Sequence, residues 1–207
     1  MKYEVVDNFL QQKHYMKLLK VIEHLNPSIT EKNTFNIAAE SVSRQELAKE
    51  LAQELEEHYL PKAMETLRRL APHKEILVDY CKFDLQSTPP NYEYPIHLDG
   101  PGKVLSGVIY MAPRKSTGTF LHMNSKLSAS EEITWEENRA FFFSRTPNDS
   151  WHSYKGDGKN IRWVLVFNLM TNQLNKDEIL DLGYFRFQYK RITDRIRKLF
   201  GIKSQYA

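Results

Sequence analysis

The chain has 207 residues, a length typical of one domain with a sizeable core. Hydrophobic residues make up 41% of the sequence and charged residues 27%, which excludes disordered, collagen-like and fibrous classes. Lysine and arginine (29) only slightly outnumber aspartate and glutamate (26), and the net charge of +3 does not by itself indicate a nucleic-acid partner.

The cysteine content and the lack of long apolar stretches bear on localisation. Cys81 is the only cysteine, which excludes an internal disulfide and a cysteine-rich zinc site. The N-terminal segment carries charges where a signal peptide needs an apolar run, and no stretch approaches the roughly 20 apolar residues of a membrane span. We therefore expect a cytoplasmic protein without a membrane span.

The N-terminal third of the chain has helical periodicity. Asp7 is placed to cap a first helix, whose apolar residues recur at helical spacing as far as Ile22. A capping-box pattern at Ser43 and Glu46 predicts a second, longer helix. Pro61 falls inside this second region, where we expect a turn or kink.

After Pro72 the apolar residues alternate with a period of two, which indicates strands. Turns rich in glycine and proline separate these segments, and several short strands with such turns are typical of a sandwich or a jelly roll. The predicted strands cover residues 76–85, 104–112, 118–122, 139–144 and 161–169. Residues 184–200 return to helical spacing and are basic.

A histidine and an aspartate lie close together between a proline turn and a glycine turn. In an extended segment His97 and Asp99 project to the same side, because side chains alternate along a strand. A return across the sandwich would bring His152 to the same point. Two histidines and one carboxylate on one face of a metal leave three coordination positions open, as in non-haem Fe(II) oxygenases.

Arg162 follows His152 by ten residues and begins a strand that is apolar on both faces. We therefore expect its guanidinium to be buried, which is costly unless it is paired. No acidic residue is an obvious local partner, and a carboxylate accepts two parallel hydrogen bonds from a guanidinium. A bound carboxylate ligand would satisfy this side chain.

These residues, in this order, resemble the Fe(II)/2-oxoglutarate-dependent dioxygenases, specifically the prolyl 4-hydroxylase-like branch. The core of the resemblance is the set His97-x-Asp99, His152 and Arg162, and it covers roughly residues 3–170. Further segments that resemble the family are residues 5–10, 107–111, 118–121 and 138–144.

The resemblance implies an α+β fold with a mainly β core. This core would be a double-stranded β-helix (jelly roll), with N-terminal helices packed on the sheet and a basic C-terminal helix. Residues 1–207 would form a single dioxygenase domain. Its parts would be a mostly helical N-terminal part (1–72), the jelly-roll core (73–170) and a C-terminal helical tail (171–207).

The resemblance also implies the activity. His97, Asp99 and His152 would hold Fe(II) as the catalytic residues, and Arg162 and Tyr110 would bind the distal carboxylate of 2-oxoglutarate. The enzyme would hydroxylate an unactivated C–H bond with O2, coupled to oxidative decarboxylation of 2-oxoglutarate to succinate and CO2. Ascorbate is a candidate reductant.

The substrate stays open, with a peptidyl proline as one class and a free amino acid or other small metabolite as the other. Ala112 stands where the family pattern has an asparagine, and Asn168 stands where some members carry an aromatic residue. These departures leave the substrate and the detail of co-substrate binding undetermined. Asn168, His122 and Trp151 are candidates either to contact substrate or to support the site. For His122 a structural role is the favoured interpretation, and Trp151 is interpreted as a packing residue or a residue of the cavity rim.

Other classes of function remain as alternatives. A member that keeps the ligands without turnover, or a cupin-like metal-binding module, would bind metal without chemistry, but such a module does not need Arg162. A nucleic-acid partner for the basic tail is disfavoured. Nucleic-acid demethylases of the superfamily carry a second arginine six residues after the first, where this chain has Asn168.

Overall fold

The structure is a computed structural model that describes residues 1–37, 45–124, 130–146 and 149–199. Its helices are α1 (Gln12–Glu23), α2 (Gln45–Leu70), α3 (Leu174–Leu182) and α4 (Tyr184–Leu199), with a 3-10 helix at Pro72–Leu77. Its strands are β1 (Tyr3–Val6), β2 (Asn33–Asn36), β3 (Tyr80–Thr88), β4 (Glu93–His97), β5 (Lys103–Ala112), β6 (Thr119–His122), β7 (Ser130–Ile133), β8 (Ala140–Phe143), β9 (Trp151–Lys155) and β10 (Arg162–Met170).

The strands form two antiparallel sheets. One has the order β1-β8-β5-β10-β3-β2 and the other the order β4-β9-β6-β7. Both sheets contribute side chains to one cavity, so they face each other across it. The predicted mixture of helices and a mainly β core is therefore confirmed, and the arrangement is consistent with a jelly roll.

Strand β10 lies between β5 and β3 and separates the core from the cavity. Its alternate side chains divide between these two sides, as the period of two predicts. Trp163, Leu165 and Phe167 are buried in the hydrophobic core. The cavity is lined from the same strand by Arg162, Val164, Val166 and Asn168.

The N-terminal helices pack on the outer side of the larger sheet. Leu18 of α1 and Leu55 and Leu67 of α2 are fully buried in the same core cluster as the outward residues of β10. Each such burial contributes about 1.5–3 kcal/mol. Helix α2 continues through Pro61 rather than ending there. Among the described residues, no helix is long and apolar enough to cross a membrane.

The prediction that Asp7 caps the first helix is wrong. Asn8 has a φ of 52°, a left-handed conformation that redirects the chain, and α1 begins only at Gln12. The Asp7 carboxylate instead accepts a hydrogen bond from Arg139 Nε at 2.5 Å. Ser43, in the predicted capping box of the second helix, lies outside the described residues.

The strand predicted over residues 76–85 is shifted. Pro72 occupies the first turn of the 3-10 helix, where its fixed φ fits and its missing N–H is not needed, so Ile76 is helical. The strand starts at Tyr80 and extends to Thr88, just before Pro89. The predicted strands 104–112, 118–122, 139–144 and 161–169 correspond to β5, β6, β8 and β10.

A buried cluster of charges joins the C-terminal helices to the rest of the fold. Lys74 Nζ lies 3.2 Å from Asp177 Oδ1 and 2.8 Å from Asp181 Oδ2, both on α3. Arg145 Nη1 lies 3.4 Å from Asp177 Oδ2, and Lys74, Arg145 and Asp177 are fully buried. Helix α4 packs against α3, with Phe187 buried, and residues 200–207 of the predicted tail lie outside the described residues.

This cluster predicts a large loss of stability when one cation is removed. Lys74→Met would leave Asp177 buried with less compensation and should lower the free energy of unfolding by about 3–5 kcal/mol. The control is Lys17→Met, which breaks an exposed pair with Glu54 and should cost less than about 1 kcal/mol. Denaturant unfolding measures both, and equal losses would contradict the role of the cluster.

Candidate metal centre and anion pocket

The pairing of β4 with β9 places two histidines opposite each other. In the antiparallel register His97 is the partner of His152, and their ring centroids lie 4.2 Å apart. A shift of one residue would turn one imidazole to the other face of the sheet. The structure therefore brings together the two histidines that the sequence analysis selected.

Asp99 lies two residues beyond the end of β4, where the chain turns towards β5. Arg145 Nε donates a hydrogen bond to the Asp99 carbonyl at 3.0 Å and so fixes the backbone at this point. One ligand atom from each of His97, Asp99 and His152 lies within 4.8 Å of the others. Among the described residues this is the one group of histidine, cysteine and acidic side chains that could hold a metal ion.

Each imidazole is fixed in one tautomer by a backbone carbonyl two residues earlier. His97 Nδ1 donates to the Pro95 carbonyl and His152 Nδ1 donates to the Ser150 carbonyl, both at 3.0 Å. A carbonyl can only accept, so Nε2 of each ring keeps its lone pair. Burial, followed by the neighbouring His152, lowers the pKa of His97 to about 4, and burial also lowers the pKa of His152. Both rings are neutral at pH 7, as metal ligands must be.

The Asp99 carboxylate is ionised although it is buried. Lys103 Nζ lies 2.6 Å from Oδ1, and Ser106 Oγ donates to Oδ2 at 2.5 Å. Burial acts to raise the pKa of Asp99, but the charge of Lys103 and these hydrogen bonds together hold it below its ordinary value. Two neutral imidazoles and one carboxylate on one side of a point suit Fe(II) or a similar divalent ion, with positions left for other ligands.

The three ligands and Arg162 line one cavity of about 170 Å³ between the sheets. Arg162 is only 2% exposed, and burial lowers the pKa of its guanidinium. Its hydrogen bonds are long: Nε donates to the Thr117 carbonyl at 3.3 Å and Nη2 to Thr119 Oγ1 at 3.5 Å. No described carboxylate lies within 4.0 Å of it. A buried cation that has only long hydrogen bonds and no carboxylate partner favours an anionic ligand.

Three aromatic rings surround the Arg162 guanidinium. Its Cζ lies 4.9 Å from the ring centroid of Tyr154, 5.2 Å from that of Trp135 and 5.5 Å from that of Tyr110. These faces stabilise a cation without neutralising it, so the charge stays available to a ligand. The sequence analysis did not select Tyr154, although it lies two residues after His152 on the same face of β9.

Tyr110 packs beneath Arg162 in the smaller hydrophobic cluster and does not line the described cavity. Its hydroxyl lies 3.0 Å from Thr119 Oγ1 and 3.1 Å from the Ile133 carbonyl, and it accepts a hydrogen bond from Thr119 N at 3.0 Å. The tyrosine is therefore next to the arginine, as the resemblance implies, with its hydroxyl already held by these neighbours.

Of the remaining candidates, only Asn168 lines the cavity. It is 3% exposed, and its Oδ1 has no hydrogen-bond partner among the described residues. His122 Nε2 lies 2.8 Å from Ser153 Oγ on the neighbouring strand, and Trp151 is its half-buried cross-strand partner. Trp151 therefore lies on β9 next to His152, and His122 lies on the neighbouring strand β6, both outside the cavity lining.

Several further polar residues in the cavity lining were not among the predicted site residues, and three of them are charged or contact Asp99. Lys103 and Ser106 bind Asp99, and the spacing of four residues between Asp99 and Lys103 was an available signal. Lys32 comes from the segment between α1 and β2, far from every motif in the sequence. No local pattern indicated that this segment reaches the cavity.

No protein family model and no curated protein matches the sequence. Solved structures do match. A prolyl hydroxylase from Trichoplax adhaerens, in complex with a hypoxia inducible factor oxygen degradation domain peptide fragment, has a TM-score of 0.61 and 14% identity. The match covers 86% of this chain and 86% of that chain.

Two other structures extend the comparison. A 2OG-Fe(II) oxygenase family oxidoreductase from Burkholderia pseudomallei has a TM-score of 0.57 and 11% identity, over 83% of this chain and 87% of that chain. The non-heme alpha ketoglutarate dependent epimerase SnoN from nogalamycin biosynthesis has a TM-score of 0.56 and 13% identity, over 82% of this chain and 77% of that chain. At these identities the comparisons establish the fold, and the chain has the fold of the 2-oxoglutarate- and Fe(II)-dependent oxygenases.

Proposed function

We propose that the protein is an Fe(II)- and 2-oxoglutarate-dependent dioxygenase that hydroxylates an unactivated C–H bond. The observation that carries the proposal is the buried Arg162, without a carboxylate partner among the described residues, in the same cavity as the triad. A metal-binding module has no use for such a cation. A dicarboxylate that bound both the metal and the arginine would satisfy the two features together.

Each residue has a role in this proposal. His97, Asp99 and His152 would hold Fe(II), and Arg162 would bind the distal carboxylate of 2-oxoglutarate through two parallel hydrogen bonds. For Tyr110 to be the second contact of that carboxylate, its hydroxyl would donate to the ligand in place of the Ile133 carbonyl. Arg162 orients the co-substrate and transfers no proton, because its guanidinium does not lose its charge. With Fe(II) and 2-oxoglutarate bound, O2 supplies the hydroxyl oxygen, and 2-oxoglutarate is converted to succinate and CO2.

Part of the cavity wall is apolar, which would limit the access of water once ligands are bound. Leu98, Val108, Phe143, Val164 and Val166 give it apolar walls. Water exclusion strengthens the electrostatic contacts inside and protects reactive species from side reactions. The two sheets would be those of a double-stranded β-helix, and residues 1–207 would act as a single domain. A reducing compartment such as the cytoplasm would keep the iron in the Fe(II) state, and ascorbate would be a reductant with the same effect.

Two substrate classes follow from the likeness in fold. The Trichoplax relative was solved with a peptide fragment, which makes a peptidyl proline one class to test. SnoN is named as an epimerase, so the fold also serves other reactions, and a small-molecule substrate is the second class. Mass analysis of the product distinguishes hydroxylation, which adds one oxygen atom, from epimerisation, which adds none.

The first prediction concerns the metal. His97→Ala, Asp99→Ala and His152→Ala should each weaken binding of Fe(II) by at least about 10-fold, because each removes one of only three protein ligands. Anaerobic calorimetric titration measures the affinity, and circular dichroism checks the fold. The matched control is His24→Ala at an exposed position, which should bind metal as the parent protein does. Unchanged affinity in all three triad variants would refute the metal centre.

The second prediction concerns the co-substrate. Arg162→Gln should weaken 2-oxoglutarate binding by roughly 30- to several-thousand-fold, because loss of a buried charged contact costs about 2–5 kcal/mol. The readout is the weak visible charge-transfer band that forms when 2-oxoglutarate is added anaerobically to the Fe(II) protein. Arg139→Gln, which removes an arginine paired with Asp7, is the control and should keep the parent affinity. A band of equal strength and midpoint in Arg162→Gln would overturn the anchor role.

A further inference from the structure

Helix α4 carries its exposed apolar side chains on one face. Phe185 is 88% exposed and Tyr189 72%, and Ile192 and Ile196 are exposed as well. These four residues follow one another at intervals of four, three and four positions, so on an α-helix they form one continuous stripe. Single exposed apolar residues are normal on a protein surface, whereas a row of large ones along one helix indicates an interaction site.

The opposite side of the same helix faces the protein. Phe187 is buried, and Lys190 Nζ lies 2.6 Å from Glu178 Oε1 on α3. With about 100° between successive residues, Phe187 and Lys190 project to the side opposite the apolar stripe. Because α3 contacts the helix on that side, the stripe points away from the fold, and the described residues leave it in water.

Arginines flank the apolar stripe on both edges. Arg186 and Arg195 are exposed, and each lies about 90° around the helix from the stripe, one on either side of it. The one acidic residue in the sequence of α4, Asp194, lies on the side of the helix opposite the stripe. The outward half of α4 therefore presents apolar groups and positive charge, with no carboxylate of its own.

This combination of groups favours one kind of occupant. A nucleic acid would use the arginines but leave the stripe in water. A second copy of this chain would add its own arginines at the interface, with no carboxylate beside the stripe to offset them. A layer of anionic phospholipid suits both features, because apolar side chains enter the acyl boundary and arginines on both edges reach the headgroups.

We propose that α4 binds the protein to a membrane surface that is rich in anionic phospholipid. The helix has 16 residues and would lie in the plane of the surface, with the apolar stripe turned into the lipid. None of the residues of the stripe or its edges lines the cavity or belongs to the candidate metal site. Membrane binding is therefore separable from the proposed oxygenase function and does not depend on it.

Co-sedimentation of the full-length protein with lipid vesicles tests the proposal. One set of vesicles contains phosphatidylcholine alone, and the other contains phosphatidylcholine mixed with phosphatidylserine. The protein should bind the mixed vesicles more tightly, by about fivefold for each arginine that reaches the surface. This difference should shrink at high salt, because salt screens the attraction.

The apolar stripe is tested by the double variant Phe185→Gln and Ile192→Gln. Its affinity for the mixed vesicles should fall by at least about 10-fold, because two apolar side chains no longer enter the lipid. Both positions are exposed, so the fold should persist, which circular dichroism checks. The matched control changes two exposed apolar residues outside α4, Ile29→Gln and Met123→Gln, and should bind as the parent protein does.

The flanking charges are tested by the double variant Arg186→Gln and Arg195→Gln. Its affinity for the mixed vesicles should fall by about 25-fold, with no change on phosphatidylcholine alone. The control is Lys13→Gln with Lys20→Gln, which removes two exposed cations from α1 and changes the net charge equally. This control should keep the affinity of the parent protein for both kinds of vesicle.

The other outcomes overturn the proposal. If the protein does not bind the mixed vesicles, or binds both kinds equally, α4 does not recognise anionic lipid. If the variant of Lys13 and Lys20 loses as much affinity as the variant of Arg186 and Arg195, the charge of the whole protein causes the binding. If the protein sediments without vesicles as a dimer that the variant of Phe185 and Ile192 converts to a monomer, the stripe is an interface between copies.

Discussion

The pairing of two short strands, β4 and β9, determines the site. Their register sets His97 against His152, and the same pair stacks Tyr94 on Tyr154. One end of this ribbon therefore carries the two histidines of the candidate metal site, and the Tyr94 and Tyr154 rings beside them contact Lys32 and Arg162. The larger sheet supplies Arg162 on β10 and buries the other face of that strand under α1 and α2. Each sheet supplies part of the site. The site therefore forms only when the two sheets face each other, as they do in a jelly roll.

Electrostatic balance explains why these polar groups are tolerated inside the molecule. The carboxylate ligand is matched by Lys103 and Ser106, and each imidazole is fixed by a carbonyl of its own strand. Arg162 on β10 differs, because it contacts aromatic faces and donates two long hydrogen bonds but has no carboxylate partner among the described residues. The candidate metal-binding groups are therefore satisfied within the protein, whereas no described carboxylate neutralises Arg162.

The sequence predicted strands β5, β6, β8 and β10, because alternating side chains mark a strand. It also selected His97, Asp99 and His152, which the structure brings together as a candidate metal site. It did not predict β4 or β9, where Pro95 and several polar residues hide the alternation, nor the short strands β1, β2 and β7. Lys32 was missed because only tertiary packing brings its segment over the cavity. The first helix does not start after Asp7 because Asn8 has a left-handed backbone conformation. The first predicted strand does not start at Ile76 because Pro72 begins a 3-10 helix there.

The link between Arg145 and Asp99 has a consequence for how the protein is made. Arg145 fixes the backbone of the carboxylate ligand, yet its own charge is neutralised by Asp177, which lies more than thirty residues later. Chains emerge from the ribosome in order, so the counter-ion appears well after all three metal ligands. Before then, burial of the arginine is opposed by its uncompensated charge. Closure of the candidate metal site should therefore wait for the synthesis of α3.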